Sequence, residues 1–264
     1  MGIDNLSEVE RVIQNVNYYR LSAYYIPFQD SKDVFNSGTT FADVFGLYKF
    51  DRNLRLLFLD IIELIEISLR TKVSYHLANN YGPFGYLDRN LYHKNFNYDH
   101  WFDILDRNIQ KSHEVFVKQY FAKYSDKHLP IWMASEVISF GDLSVLYKNL
   151  QFKDKQTIAR RNFRIDQTLL TSWLHSLVYI RNLCAHHSRL WNRSLSISPK
   201  VPRKNESWKK INSKRIFSIL LLLKILCPDD SYWEKWVNKL QSLINKYNPK
   251  ILMMGFPKNW EDYL

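Results

Sequence analysis

Glycine is scarce in this chain, with seven in 264 residues against a usual level of about 7 percent. Folds built on many tight turns and Gly-rich loops are therefore disfavoured. Neither GxGxxG nor GxxxxGK[ST] occurs, which argues against nucleotide binding through a Rossmann or P-loop motif. Only two cysteines are present, Cys184 and Cys227, too few for a disulfide framework or a cysteine-based zinc site, and they suit a reducing compartment. No basic-then-apolar leader opens the chain. The greasiest run, Ile216 to Cys227, is too short for a membrane span and contains Lys224. The expectation is a cytoplasmic protein, neither secreted nor membrane-embedded.

Acidic residues are missing from one region in particular. Between Arg181 and Lys224 stand eleven Lys or Arg and a single acid, Glu206, so this segment carries +10 of the chain's +11 net charge. The remaining 220 residues are nearly neutral. A basicity concentrated this way points to a polyanionic partner more strongly than pI alone does.

What is abundant is apolar and aromatic: 46 percent hydrophobic residues and 16 percent aromatics, with 24 percent charged. That composition excludes disordered and fibrous chains. The eight prolines fall where the apolar periodicity breaks, because proline cannot donate the helical hydrogen bond. Between them the 3.6-residue period predicts helices. One starts at a Ser7-x-x-Glu10 capping box and runs to about Tyr25, and a long one spans about Phe41 to Asn79. Asp99 and Asp166 read as N-caps of helices near 100–124 and 167–186, with others near 132–150, 208–227 and 231–247. Stretches 80–98 and 194–207 read as loops, and strand-like alternation is nearly absent. The expected fold is all-α, one helical bundle over residues 1–264 with additional helices.

Two clusters carry candidate chemistry. Asp60, Glu63 and Glu66 recur every three residues, but Arg52, Arg55 and Arg70 stand close by, so the row reads as an ion-paired, solvated face rather than a metal or acid–base site. The richer cluster is Tyr179-Ile-Arg-Asn-Leu-Cys-Ala-His-His-Ser-Arg-Leu-Trp-Asn-Arg193. With Leu170 at zero and 100° per residue, Leu174, Leu177 and Arg181 fall at about 40°, 340° and 20°, which points Arg181 along the middle of the apolar face of its helix. An arginine there needs a partner or a cleft.

The pattern Arg-x4-6-His is weak alone, since about 1.4 chance hits are expected and four occur. Arg70 with His76 and Arg107 with His113 also fit. Asp103, Asp106 and Glu114 around the latter would repel a phosphate, whereas Arg181 opens the basic segment.

Arg181-Asn182-x-x-Ala185-His186-His187-x-Arg189-Leu190-Trp191-Asn192-Arg193 resembles the signature of the Abi-like proteins of the AbiD/AbiF abortive-infection family, within the HEPN superfamily. Three more blocks resemble it in order. They are Asn17-Tyr-Tyr-Arg-Leu-Ser-Ala-Tyr-Tyr-Ile-Pro27-Phe28, Tyr48-x-Phe50-Asp51-Arg52-x-Leu54-Arg55 with Glu66-x-Ser68-Leu69-Arg70, and Phe140-Gly141-x-Leu143-Ser144-x-Leu146-Tyr147.

The resemblance implies a HEPN-type bundle and a metal-independent endoribonuclease that needs no cofactor. Arg181, Asn182 and His186 would be its catalytic residues, with His187 the alternative histidine. In such a reaction a base takes the ribose 2′-hydroxyl proton, an acid protonates the leaving oxygen, and Arg181 holds the phosphorane. Arg189, Arg193, Arg203, Lys204, Lys209, Lys210, Lys214 and Arg215 are expected to track an RNA backbone. Trp191 and Trp208 are either stacking platforms or core. A homodimer sharing one cleft would supply both acid and base, and a neutralising protein or small RNA would restrain the idle enzyme. The alternatives are a non-catalytic RNA-binding protein and a DNA-binding regulator, the latter lacking a compact helix-turn-helix.

Overall fold

The computed structural model describes residues 1–3, 5–31 and 33–264. Among these the fold is all-α, with twelve α-helices and one short antiparallel ladder, β1 (Gln29–Ser31) with β2 (Val34–Phe35).

The helices are arranged around α3 (Phe41–Tyr81), whose 41 residues extend about 60 Å at 1.5 Å per residue. A capping box fixes its start: Thr40 Oγ1 accepts from the Asp43 N–H at 3.3 Å, and Asp43 Oδ2 accepts from the Thr40 N–H at 2.8 Å. It stops at Gly82, where φ of 78° suits a residue without Cβ. Along α3, Val44, Phe50, Leu54, Phe58, Ile61 and Ile65 are all fully buried. Such a wide apolar face needs neighbours on several sides. They are α6 (Ile131–Val137), α8 (Phe152–Phe163), α9 (Gln167–Ala185), α11 (Phe217–Leu226) and α12 (Asp230–Tyr247). The Trp236 indole N–H donates to the Leu57 carbonyl at 2.7 Å and ties α12 to α3. α7 (Phe140–Asn149) and α8 flank α9, and α11 buries all but two of its residues.

The N-cap expected at Asp166 is present, its carboxylate accepting from the Thr168 N–H at 2.8 Å. Other expected helices are shorter than their apolar periodicity, and small polar side chains account for the breaks. The first helix, α1 (Leu6–Asn15), is capped by Asn5 rather than Ser7, and α2 (Tyr18–Ser22) restarts at Asn17, whose side chain accepts from the Tyr19 N–H. The stretch expected at 100–124 is α4 (Tyr98–Lys111), capped by Asn97 rather than Asp99, followed by α5 (Val115–Lys123). Ser112 separates them by accepting from the Glu114 N–H. Ser139 divides α6 from α7 through a capping box with Asp142. The 208–227 stretch resolves into α10 (Glu206–Lys209) and α11. α8 was not expected: it has few apolar positions and no side-chain cap, so neither signal marks it.

At the end of this framework lies a buried carboxylate. Asp51 of α3 is 0 percent exposed. It pairs with Arg55, accepts from the Tyr24 hydroxyl at 2.5 Å, and accepts from the backbone N–H of Leu190 at 3.1 Å and of Trp191 at 2.6 Å. Burial pushes its pKa up, while these donors favour the ionised form. The charge draws together α3, the turn after α2 and the chain that follows α9. Asp51→Ala should cost about 3–5 kcal/mol in urea unfolding, because it leaves Arg55 buried without its counter-charge. Tyr24→Phe, which removes one donor to a charged acceptor, should cost about 1.5–3 kcal/mol in the same assay.

Candidate functional site

The C-terminal end of α9 displays the residues singled out in the sequence. Arg181 and Asn182 occupy its last turns, and His186 follows as the C-cap. There the chain reverses. The His187 N–H donates to the Cys184 carbonyl at 3.0 Å and the Ser188 N–H to the Leu183 carbonyl at 2.8 Å, the paired bonds of a Schellman motif. His187 takes the left-handed position of that motif, at φ 57°, where glycine is usual and histidine is tolerated. The turn leaves the side chains of both histidines exposed.

Arg181 sits at the flank of the buried face rather than at its middle. Trp173, Leu177, Ile180 and Cys184 occupy the core, and the Arg181 side chain keeps 32 percent of its exposure. Its Nη1 donates to Asn182 Oδ1 at 3.2 Å, and its Nε lies 3.9 Å from Glu66 Oε2 on α3. Glu66 also binds Arg70, whose guanidinium donates to the carbonyls of Ser135 and Ile138 at the α6–α7 joint. The carboxylate row therefore divides. Asp60 faces Lys239 at 3.9 Å on an exposed side, whereas Glu66 is largely buried and faces the α9 arginine. Reading the whole row as a solvated face missed this contact, although Glu66 and Arg70 lie in one of the family-like blocks.

The chain beyond His187 is clamped from several directions. Arg20 Nη1 donates to the His187 carbonyl at 2.7 Å, Arg189 Nη1 to the Ala23 carbonyl at 3.0 Å, and Arg193 Nε to the Arg189 carbonyl at 2.6 Å. Arg215 Nη1 binds both the carbonyl and the side chain of Asn192, which is itself left-handed at φ 50°. Burial acts to raise the Tyr179 phenol, but accepting from Ser196 and standing beside Arg193 outweigh it and bring its pKa below the ordinary value. The first and second blocks thus meet the last one at a single helix end, with α7 packed along α9 from the side. Sequence reasoning gave no role to Arg20, Tyr24 or Asp51. Their presence within the family-like blocks was the available signal.

The predicted RNA surface is altered in two respects. Trp191 and Trp208 are 1 and 2 percent exposed, so neither offers a face to a base. Trp208 stacks on Trp173 with centroids 5.3 Å apart. Trp208 is thereby packed against α9, whereas Trp191 lies toward α3, where its backbone N–H donates to Asp51; both bury a large apolar ring. The cations also divide. Arg189 and Arg193 follow the histidines along the chain, and Lys214 and Arg215 are tied to that same segment, the Lys214 carbonyl accepting from the Leu195 N–H at 2.8 Å and Arg215 binding Asn192. Arg203, Lys204, Lys209 and Lys210 are exposed but lie toward the N-terminal half of α9, where the Trp173 indole donates to the Lys200 carbonyl at 2.8 Å. Trp173 precedes Arg181 by eight residues, about 12 Å along the helix.

The competing pattern at Arg70 and His76 is structural. Arg70 is buried, and His76 Nε2 is 2.8 Å from Asp154 Oδ1, which also accepts from Tyr81. At Arg107 the side chain is exposed and Nε binds the Asp103 carbonyl. Burial pushes the Cys184 thiol up to about 12, which makes it a packing residue and not a nucleophile. Among the described residues no helix is long and apolar enough to cross a membrane.

A family model described as Abi-like protein matches residues 11–192. That span contains the first three blocks and the fourth up to Asn192, leaving out its last residue, Arg193, and most of the basic segment. No curated protein and no solved structure matches the chain.

The turn geometry is directly testable. His187→Gly should change thermal stability by less than about 1 kcal/mol, since glycine takes the left-handed conformation freely but gains unfolded-state entropy. His187→Val should cost about 1–2 kcal/mol, because a β-branched residue is strained there. Equal melting temperatures for the two variants would remove the structural role assigned to this position.

Proposed function

Because this chain belongs to the Abi-like protein family, we propose that it acts in abortive infection as a HEPN-type endoribonuclease centred on Arg181, Asn182 and His186. The observation that carries the reading is an arginine and an exposed histidine held at one clamped helix end, with further cations beside them. The guanidinium presents a planar fork to the non-bridging phosphate oxygens, and Asn182 steadies it from its own side. His186 accepts the 2′-hydroxyl proton. The 2′-oxygen then bonds to phosphorus, the bond to the 5′-oxygen breaks, and that oxygen takes a proton from an acid, leaving a 2′,3′-cyclic phosphate. The chemistry needs no cofactor.

The acid is the second requirement. A homodimer in which two α9 ends face one phosphate supplies it as the partner copy of the same histidine. His187 is the alternative within one chain, and its structural duty at the turn favours His186 as the principal histidine. Arg189 and Arg193, together with Lys214 and Arg215, would guide the RNA backbone into the cleft, while Arg203, Lys204, Lys209 and Lys210 form an outer basic surface. With Trp191 buried, base stacking falls to another aromatic. Tyr19 is 82 percent exposed beside Arg20, which holds the His187 carbonyl. A neutralising RNA or protein would work by covering this same surface.

One feature favours a non-cleaving RNA-binding protein instead: Glu66 takes part of the charge of Arg181. Incubation with total RNA in EDTA, followed by mapping of new 5′ ends and their cyclic-phosphate partners, separates the two. Arg181→Ala and His186→Ala should each abolish cleavage while leaving the circular dichroism spectrum intact, and His187→Ala should do less. A 2′-deoxy nucleotide at the cut site should block cleavage without preventing binding. Activity in a mixture of Arg181→Ala and His186→Ala chains would follow from a shared cleft, whereas a fully active monomer would rule the shared cleft out.

Tyr19→Ala should weaken binding to single-stranded RNA by about 1–3 kcal/mol if a base stacks there, read by fluorescence anisotropy at fixed salt. Unchanged affinity would leave the tyrosine with no part in recognition.

A further inference from the structure

The N-terminal half of α9, on a different face from Arg181, borders a second basic cavity. Thr168, Thr171, Ser172 and His175 line a space of about 500 Å³. Their i, i+3, i+4, i+7 spacing puts them on one helix face, and 100° per residue turns Arg181 about 140° away from that face. The opposite wall comes from α7 and α8. Lys148 and Lys155 stand there, Lys200 closes one side, and no carboxylate lines the cavity.

Lys155 is the unusual member. It is 8 percent exposed, yet its ammonium meets no carboxylate: its partners are the Lys148 carbonyl at 2.9 Å and His93 Nε2 at 3.4 Å. Asp154, its neighbour in sequence, is bound to His76 and Tyr81. Among the described residues Lys148, Lys155 and Lys200 form no salt bridge. Burial and the nearby Lys148 lower the Lys155 pKa, as expected for an ammonium without a counter-charge. Three lysines and no carboxylate around one cavity leave its lining net positive, a charge that a bound anion would offset. The Ser172 hydroxyl, which accepts from the Lys200 N–H at 2.9 Å, adds a polar group at the rim. An adjoining cavity shares Thr168 and Lys200 and adds Arg203 and Asp166, so the cationic wall continues outward with one acid at its edge.

We propose that this cavity is a phosphate-binding site, distinct from the Arg181–His186 end, that takes a terminal phosphate or polyphosphate group. Such a group reaches it either on a free nucleotide or on the 5′ end of an RNA. Lysines suit it as point charges that wrap a tetrahedral anion. The site does not depend on ribonuclease activity, and its test does not measure cleavage.

Isothermal titration of the full chain with inorganic pyrophosphate, with ATP, and with short oligoribonucleotides bearing a 5′-triphosphate or a 5′-hydroxyl tests it. Saturable pyrophosphate binding is expected, weakened at least tenfold in a Lys148→Gln, Lys200→Gln double variant. A Lys235→Gln, Lys239→Gln variant, which removes the same charge from α12, should bind as the parent does. Displacement of pyrophosphate by the triphosphate oligomer but not by the hydroxyl one assigns the site to RNA ends, whereas displacement by ATP alone assigns it to free nucleotides. Lys155→Met should abolish binding with the helical spectrum unchanged. Absence of saturable pyrophosphate binding, or equal weakening in the α12 variant, overturns the proposal.

Discussion

The carboxylate of Asp51 holds the site together. It lies fully buried in α3 and gathers a hydroxyl from the turn after α2, a guanidinium one turn along its own helix, and two backbone N–H groups from the segment beyond α9. A buried charge is tolerated only when its donors are in place, so each of these elements is constrained by the others. Without this carboxylate the N–H groups of Leu190 and Trp191 would lose their acceptor in a dry interior. The chain after α9 therefore turns back over α3, and the end of α9 is displayed in one orientation.

That display carries an electrostatic consequence. A helix C-terminus bears partial negative charge, which favours cations and repels phosphate. Arg181 and the arginines after it offset this, and Glu66 limits how far. The arginine is thus supported by a carboxylate on α3 and opposed by it at once. Its reach toward a phosphate depends on the balance between Glu66, already shared with Arg70, and whatever anion arrives. The other end of α9 has the reverse polarity and its own group of lysines, so one helix presents two basic surfaces of different character.

Helix boundaries show how local chemistry competes with pattern. Apolar periodicity continues through Ser112 and Ser139, yet the helix breaks at both. The Ser139 hydroxyl caps the start of α7 by accepting from the Asp142 N–H. Ser112 instead ends α4, and its hydroxyl accepts from the Glu114 N–H in the turn before α5, which has no side-chain cap. Periodicity records which face is buried and is indifferent to such breaks. α8 was invisible for the opposite reason. Its buried positions include the polar Asp154, Lys155 and Gln156 beside Ile158, Ala159 and Phe163, and a hydropathy pattern cannot register buried polar residues.

The sequence by itself determined the all-α class, the course of α3 and α9, and the candidate motif. These follow from local properties: apolar spacing, the cap at Asp166, scarce glycine, and the residue types of Arg181 to Arg193. It also located the basic segment as a stretch of chain. Only the tertiary structure decided that Trp191 and Trp208 are core, that the segment's cations separate toward two ends of α9, and that Glu66 faces Arg181. Those facts depend on contacts between residues far apart in the chain, such as Asp51 with Trp191, 140 positions away. No periodicity encodes them, because burial of an indole or pairing of an arginine is set by what packs against it.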